Sequence, residues 1–217
     1  MANANAIAPL SPPALPLAPE QYDRKYQDQL NNVQRLFYNR LGASLNATFG
    51  DAGGQYIDCP NGLFFNTADQ TFAATNTAYP VVYNQTYLSS NVRLKSGSTS
   101  QIETLVGGVY NFQYSGQLLS TNASAKNVFL WIKRNGTNIG YSTHAYTLAA
   151  NGEYRQVNWN FNIDMQEGDY LELEAATTDT TVRLDAEAAT TPHPGIPSSV
   201  MTVNFIAPLP ATLPTPP

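Results

Sequence analysis

Between Gly107 and Tyr114 the chain reads Gly-Gly-Val-Tyr-Asn-Phe-Gln-Tyr, so that Tyr110, Phe112 and Tyr114 alternate with Val109, Asn111 and Gln113. A period of two belongs to an extended strand, whose successive side chains point to opposite faces. Three aromatic rings therefore share one face, aimed at a core, and a mostly polar row occupies the other. The Gly107-Gly108 pair is the turn from which this strand starts. Gly116 and Leu118 keep the phase, which extends the strand and tapers its inner face from large to small. The remaining segments are read as the neighbours of this core strand.

Those neighbours are short strands over residues 59–207. Gly62–Phe65, Thr71–Ala74 and Tyr79–Tyr83 come first, and Pro80 marks the third as an edge strand or a bulge. Asn91–Leu94 and Gln101–Leu105 lead into the central run. Asn127–Lys133, with Trp131, is apolar on both faces and is expected to be covered on both sides. It ends at Asn135-Gly136, a pair that favours a tight hairpin turn. A strand is expected over Ser142–Tyr146. In Gln156–Ile163 the residues Val157, Trp159, Phe161 and Ile163 face inward and the asparagines outward. Gln166–Asp169 is a turn. Tyr170–Glu174, Val182–Ala186 and Ser199–Ile206, which carries Phe205, complete the set. Many short strands with regular turns and no helix predict a mainly β, antiparallel sandwich or jelly roll.

The N-terminal region is of another kind. Residues 1–19 are rich in Ala and Pro, which excludes helix and favours an extended arm. Leu10, Leu15 and Leu17 are its candidate anchors on a partner; the plainer reading is a loose linker. A helix is predicted over 20–42, opened by Glu20 and Asp23 at the positive end of its dipole and stopped by Gly42. Tyr22, Tyr26, Leu30, Val33, Phe37 and Leu41 form its apolar stripe. The 4-3-4 spacing from Tyr26 to Phe37 suits a short coiled-coil seam or a docking face. Residues 43–58 are expected to be a Gly-rich linker, and 208–217 a Pro-rich tail.

Charged residues make up only 12% of the 217, against about 25% in an average domain. The net charge of −5 disfavours nucleic-acid binding, which needs clustered Lys and Arg. The densest basic pair, Lys133-Arg134, reads as a hairpin end facing water. Cys59 is the single cysteine, expected to be partly buried, so no disulfide framework or cysteine-based metal cluster is predicted. No stretch approaches the ~20 apolar residues of a membrane span. The first residues lack the basic-then-apolar pattern of a secretory signal.

Two histidines, His144 and His193, stand apart, and no serine sits in a Gly-x-Ser-x-Gly elbow. No catalytic residue is assigned. Glu172 and Glu174 share one strand face. With Asp179, Asp185 and Glu187 they form the acidic part of the chain. Glu172, Glu174 and Asp179 are weak cation candidates, and the first two are the only acid pair an enzyme acting on polysaccharide would use. The plainer reading is a solvated sheet face balanced by Arg155 and Arg183. No metal or cofactor is expected.

Three phrases in order resemble the C1q/TNF-like family of trimeric jelly rolls. They are Gly108-Val-Tyr-Asn-Phe112, Phe129-Leu-Trp-Ile-Lys-Arg-Asn-Gly136, and Gln166-Glu-Gly-Asp169 followed by Tyr170-Leu171. Val203-Asn-Phe-Ile206 sits where that family has its closing strand. The resemblance implies a homotrimer, with Tyr110, Phe112, Tyr114, Trp131, Trp159, Phe161 and Phe205 in the core or at the trimer interface. The phrase Leu17-Ala-Pro-Glu-Gln-Tyr-Asp-Arg24 resembles small virion proteins of marine tailed bacteriophages. That implies a non-enzymatic structural protein of the virion, assembled in the bacterial cytoplasm and anchored by its N-terminal arm and helix to capsid or tail proteins. Contact with host polysaccharide is a further expectation, as is the alternative of a secreted carbohydrate-binding or adhesin module.

Overall fold

A computed structural model describes residues 13–15, 17, 20–49, 59–149 and 152–209. The chain divides into two compact units between Asp58 and Cys59. Leu10 and most of the Pro-rich arm and tail lie outside the described residues.

In the first unit a single helix, α1, spans Arg24–Phe49. It starts four residues later than Glu20 because Asp23 is its N-cap. The Asp23 carboxylate accepts the Lys25 N–H at 2.9 Å, and its carbonyl accepts the Gln27 N–H at 3.1 Å. Gly42 does not stop it. A glycine inside a helix costs only about 1 kcal/mol relative to alanine, and the good helix formers Ala43, Leu45 and Ala47 follow. Residues 43–49, expected to be linker, are therefore helical.

The second unit is an antiparallel sandwich. In chain order its strands are β1 Asn61–Asn66, β2 Gln70–Thr71, β3 Tyr79–Pro80, β4 Gln85–Ser90, β5 Val92–Leu94, β6 Ile102–Thr104 and β7 Gly108–Ser120. Then come β8 Lys126–Arg134, β9 Thr137–Asn138, β10 His144–Leu148, β11 Glu153–Met165, β12 Tyr170–Thr177, β13 Val182–Leu184 and β14 Ser199–Ala207. β7 organises the first sheet: β11 lies along one edge over its whole length, β14 and then β13 along the other, with β1 and β4 beyond β14 and β2 beyond β13. The second sheet runs β10-β8-β12-β6-β5, with β3 also on β12 and β9 on β8. From β7 to β14 the chain passes repeatedly between the two sheets, the interleaved Greek-key path of a jelly roll.

The inner face of β7 forms the floor of the core. Tyr110, Phe112 and Tyr114 are buried, as are Gly116 and Leu118 in the same phase. Val128, Leu130 and Ile132 of β8 and Leu171 and Leu173 of β12 close over them. Phe112 stacks on Phe161 with ring centres 5.5 Å apart, and Tyr110 meets Phe205 edge-on at 5.6 Å. A Cβ on Gly108 would run into the Phe205 ring and meet the Ala207 carbonyl at 3.0 Å, so glycine lets the strand start there without displacing that ring. The hairpin after β8 has its two central residues at positive φ, 50° for Asn135 and 80° for Gly136.

Several expectations need correction. β8 is closed on one face only: Phe129 and Trp131 on the outer side are half-buried, and the Trp131 indole N–H donates to Asn138 Oδ1 at 3.0 Å. Of Thr71–Ala74 only Thr71 is in a strand, paired through Gln70–Thr71, and of Tyr79–Tyr83 only Tyr79–Pro80 keeps a ladder. Cys59 is exposed, lying just ahead of β1.

Candidate interaction surface

Where β7, β11 and β14 run side by side, their outward residues fall into register as three rows. Asn111 lies between Asn162 and Asn204, Gln113 between Asn160 and Thr202, and Ser115 between Asn158 and Val200. None is charged. The Gln113 amide N–H donates to Asn111 Oδ1 at 2.7 Å, and the Asn111 amide donates to Asn162 Oδ1 at 2.8 Å and to Asn160 Oδ1. Gln156 Nε2 reaches Ser115 Oγ at 3.2 Å. The result is a flat ladder of amides, fixed by its own hydrogen bonds, around a shallow hollow of about 380 Å³.

β11 bounds this face. Its 13 residues pair with β7, and among the described residues its other edge is unpaired from Gln156 to Ile163. No proline, bulge or charge interrupts that stretch. Beneath it, between β11 and β10, the Trp159 ring lies 4.3 Å from His144 and 4.9 Å from Phe161. Trp159 and Phe161 are half-buried and His144 is exposed, so an aromatic seam reaches the surface along the open edge. Tyr110, Phe112 and Tyr114 by contrast lie wholly inside the sandwich, and Phe205 is half-buried against Tyr110.

The carboxylates take separate partners. Glu172 and Glu174 share the outer face of β12 but are buried, 7% and 5% exposed, not solvated. Lys133 Nζ lies 3.0 Å from Glu174 Oε1, and the Ser100 hydroxyl donates to Glu172 Oε1 at 2.9 Å. The bond to Glu174 holds the Lys133 ammonium above the ordinary lysine range. Lys133 thus belongs to a partly buried ion pair, its Glu174 side enclosed, rather than to a hairpin end in water, and Arg134 pairs with Asp164 at 3.1 Å. Asp179 accepts from the Thr181 hydroxyl and amide at 2.6 and 2.9 Å and pairs with Lys126 at 3.3 Å. These contacts, the Thr181 hydroxyl first, hold its carboxyl below the usual range. Arg183 bridges Asp69 and Asp185, and Arg155 donates to the Thr147 carbonyl, so neither balances Glu172 or Glu174. Among the described residues no three His, Cys, Asp or Glu side chains converge on a site of metal size. His193 is held in its loop by Thr190 Oγ1 at 2.9 Å and the Pro194 carbonyl at 3.1 Å.

In the first unit Leu15, Leu17 and Tyr22 are exposed, and no described residue of α1 is buried. The stripe of Tyr26, Leu30, Val33 and Phe37 is only partly shielded, by its own helical neighbours. Leu36, Tyr38 and Leu45 add exposed apolar area that the 3.6-residue stripe did not include.

No protein-family model matches the sequence, and no curated protein matches it. Among solved structures the chain is similar to the globular domain of zebrafish complement 1qA protein, at 12% identity and a TM-score of 0.45 over 69% of this chain and 99% of that one. The jelly-roll assignment rests on the strand pairing above.

Proposed function

We propose that this protein is a non-enzymatic assembly protein of a tailed-phage particle. Its jelly-roll head forms a homotrimer through the β11 edge and the amide face, and its N-terminal region fastens the trimer to a capsid or tail protein. The free edge of β11 carries this reading. An edge strand offers a row of unpaired N–H and C=O groups, and soluble proteins blunt such edges with charge, proline, bulges or a covering element. From Gln156 to Ile163 β11 has no charge, proline or bulge, and among the described residues no strand pairs with this edge, so a neighbouring chain is its natural cover. The adjoining face is uncharged, and burying it against a copy of itself removes no ion from water. The number three and the phage setting come from the sequence resemblances, and the exposed Leu15, Leu17 and Tyr22 ahead of α1 support a docked N-terminal region.

The test is Asn160→Arg, which puts a charge into the middle of the face without touching the core. Wild type is expected at a mass of three chains and the variant at one, with unchanged circular dichroism. A wild-type monomer, or a variant that stays trimeric, overturns the reading. Deleting residues 1–49 is expected to leave the trimer and abolish incorporation into particles. The amide-lined hollow favours a second reading, contact with a neutral host polysaccharide, since Asn, Gln and Thr can hydrogen-bond to sugar hydroxyls. Binding on a glycan array that Asn160→Arg abolishes would favour it; no binding at millimolar sugar removes it.

A further inference from the structure

We infer that α1 is one strand of a parallel three-stranded bundle formed with two further copies of this chain, along a seam with an 11-residue period. This rests on the homotrimeric head and assigns the helix a partner. The side chains at Tyr26, Leu30, Val33, Phe37, Leu41, Ser44 and Thr48 are spaced 4-3-4-4-3-4, and each is partly shielded within an otherwise mostly exposed helix. Two 11-residue repeats over three turns each give about 3.67 residues per turn, close to the 3.6 of a free helix, so the stripe stays on one side with little supercoiling. A seven-residue period beginning at Tyr26 fails in the second half, because it would place the charged, exposed Arg40 at the contact. The 11-residue frame places Leu41 there. Arg24, Lys25, Asp28, Arg35 and Arg40 all lie off the seam and are exposed.

The identity of the covering partner follows from the tether. Phe49 and Cys59 are ten residues apart in sequence, a reach of at most about 35 Å. A trimeric head therefore holds three such helices at an effective concentration in the millimolar range, higher than any free partner reaches. The 26-residue helix has one uncovered stripe, and most helical stability in proteins comes from packing such a face; under that tether a short seam supplies it. Attachment to another protein is then left to the segment ahead of α1, with Leu15, Leu17 and Tyr22.

The experiment uses the full chain with Cys59→Ser and one new cysteine, mildly oxidised. Val33→Cys and Leu41→Cys are expected to give covalent pairs of chains, since a threefold seam brings the same residue of each copy together. Asn39→Cys on the opposite side should give none, and Arg40→Cys fewer than Leu41→Cys. Absence of pairs at both Val33→Cys and Leu41→Cys, or equal pairing at Asn39→Cys, overturns the bundle. Light scattering on the same samples separates the two readings. Three chains without seam pairing leaves the trimeric head standing and removes the bundle; a single-chain mass removes the head trimer, and the bundle with it.

Discussion

The aromatic face of β7 makes alkali the sharpest probe of the core. Tyr83, Tyr110 and Tyr114 are 3% exposed or less. The Tyr83 and Tyr114 hydroxyls find no hydrogen-bond partner among the described residues, while that of Tyr110 donates to the Val106 carbonyl at 2.6 Å. Burial pushes the phenol of Tyr110 up to about 12 and those of Tyr83 and Tyr114 well above the ordinary value. The folded chain thus keeps three protons that the unfolded chain releases above about pH 10. Stability is unaffected below that point and falls above it, because the unfolded state binds fewer protons. The slope is about 1.4 kcal/mol per pH unit for each tyrosine, or about 4 kcal/mol for all three. Against a typical stability of about 5–15 kcal/mol, cooperative unfolding is expected only above about pH 11, at the low end of that range first. Phenolate absorbance and far-UV circular dichroism, followed together, read it out. The buried three should ionise only as the fold is lost. A single smooth ionisation of all tyrosines with native dichroism would refute the reasoning. Tyr114→Phe should remove a third of the alkaline slope and leave neutral-pH stability unchanged or about 1 kcal/mol higher, since the lost hydroxyl has no partner.

Three further outcomes follow from named contacts. Lys133→Met strands the buried Glu174 carboxylate and should cost about 3 kcal/mol in denaturant unfolding, most of it recovered when Glu174→Met is added. Gly108→Val drives a side chain into the Phe205 ring and the Ala207 carbonyl. It should cost about 1–3 kcal/mol, visible as a lower melting temperature. The Asp179 carboxyl, held below its unfolded value, contributes stability that is present above about pH 4 and lost as pH falls through its folded value. Asp179→Asn should flatten that acid limb of the melting profile and leave the neutral region dependent only on the remaining Thr181 contacts.

Legibility in the sequence tracked how local the determinant was. The alternation of Tyr110, Phe112 and Tyr114 fixes an inner face whatever the partner strands are, and Asn135-Gly136 dictates its turn through backbone sterics alone. β4 was invisible because Gln85–Ser89 is exposed throughout and carries no alternation; the strand exists only by pairing with β1. The end of α1 was misplaced because Gly42 is a stop signal in isolation, and the favourable residues after it outweigh its cost. Glu172 and Glu174 share a face by simple period, yet their burial depends on Ser100 and Lys133, distant in sequence from both. Asparagines facing outward on β11 were legible. That they continue into Asn111 and Gln113 and on to Thr202 as one uncharged sheet required the register of three strands.

The most direct measurement is the solution mass of the full chain by light scattering, with Asn160→Arg beside it. A trimeric head predicts three chains for wild type and one for the variant. A single chain for both would mean that the β11 edge needs no cover and would contradict the account.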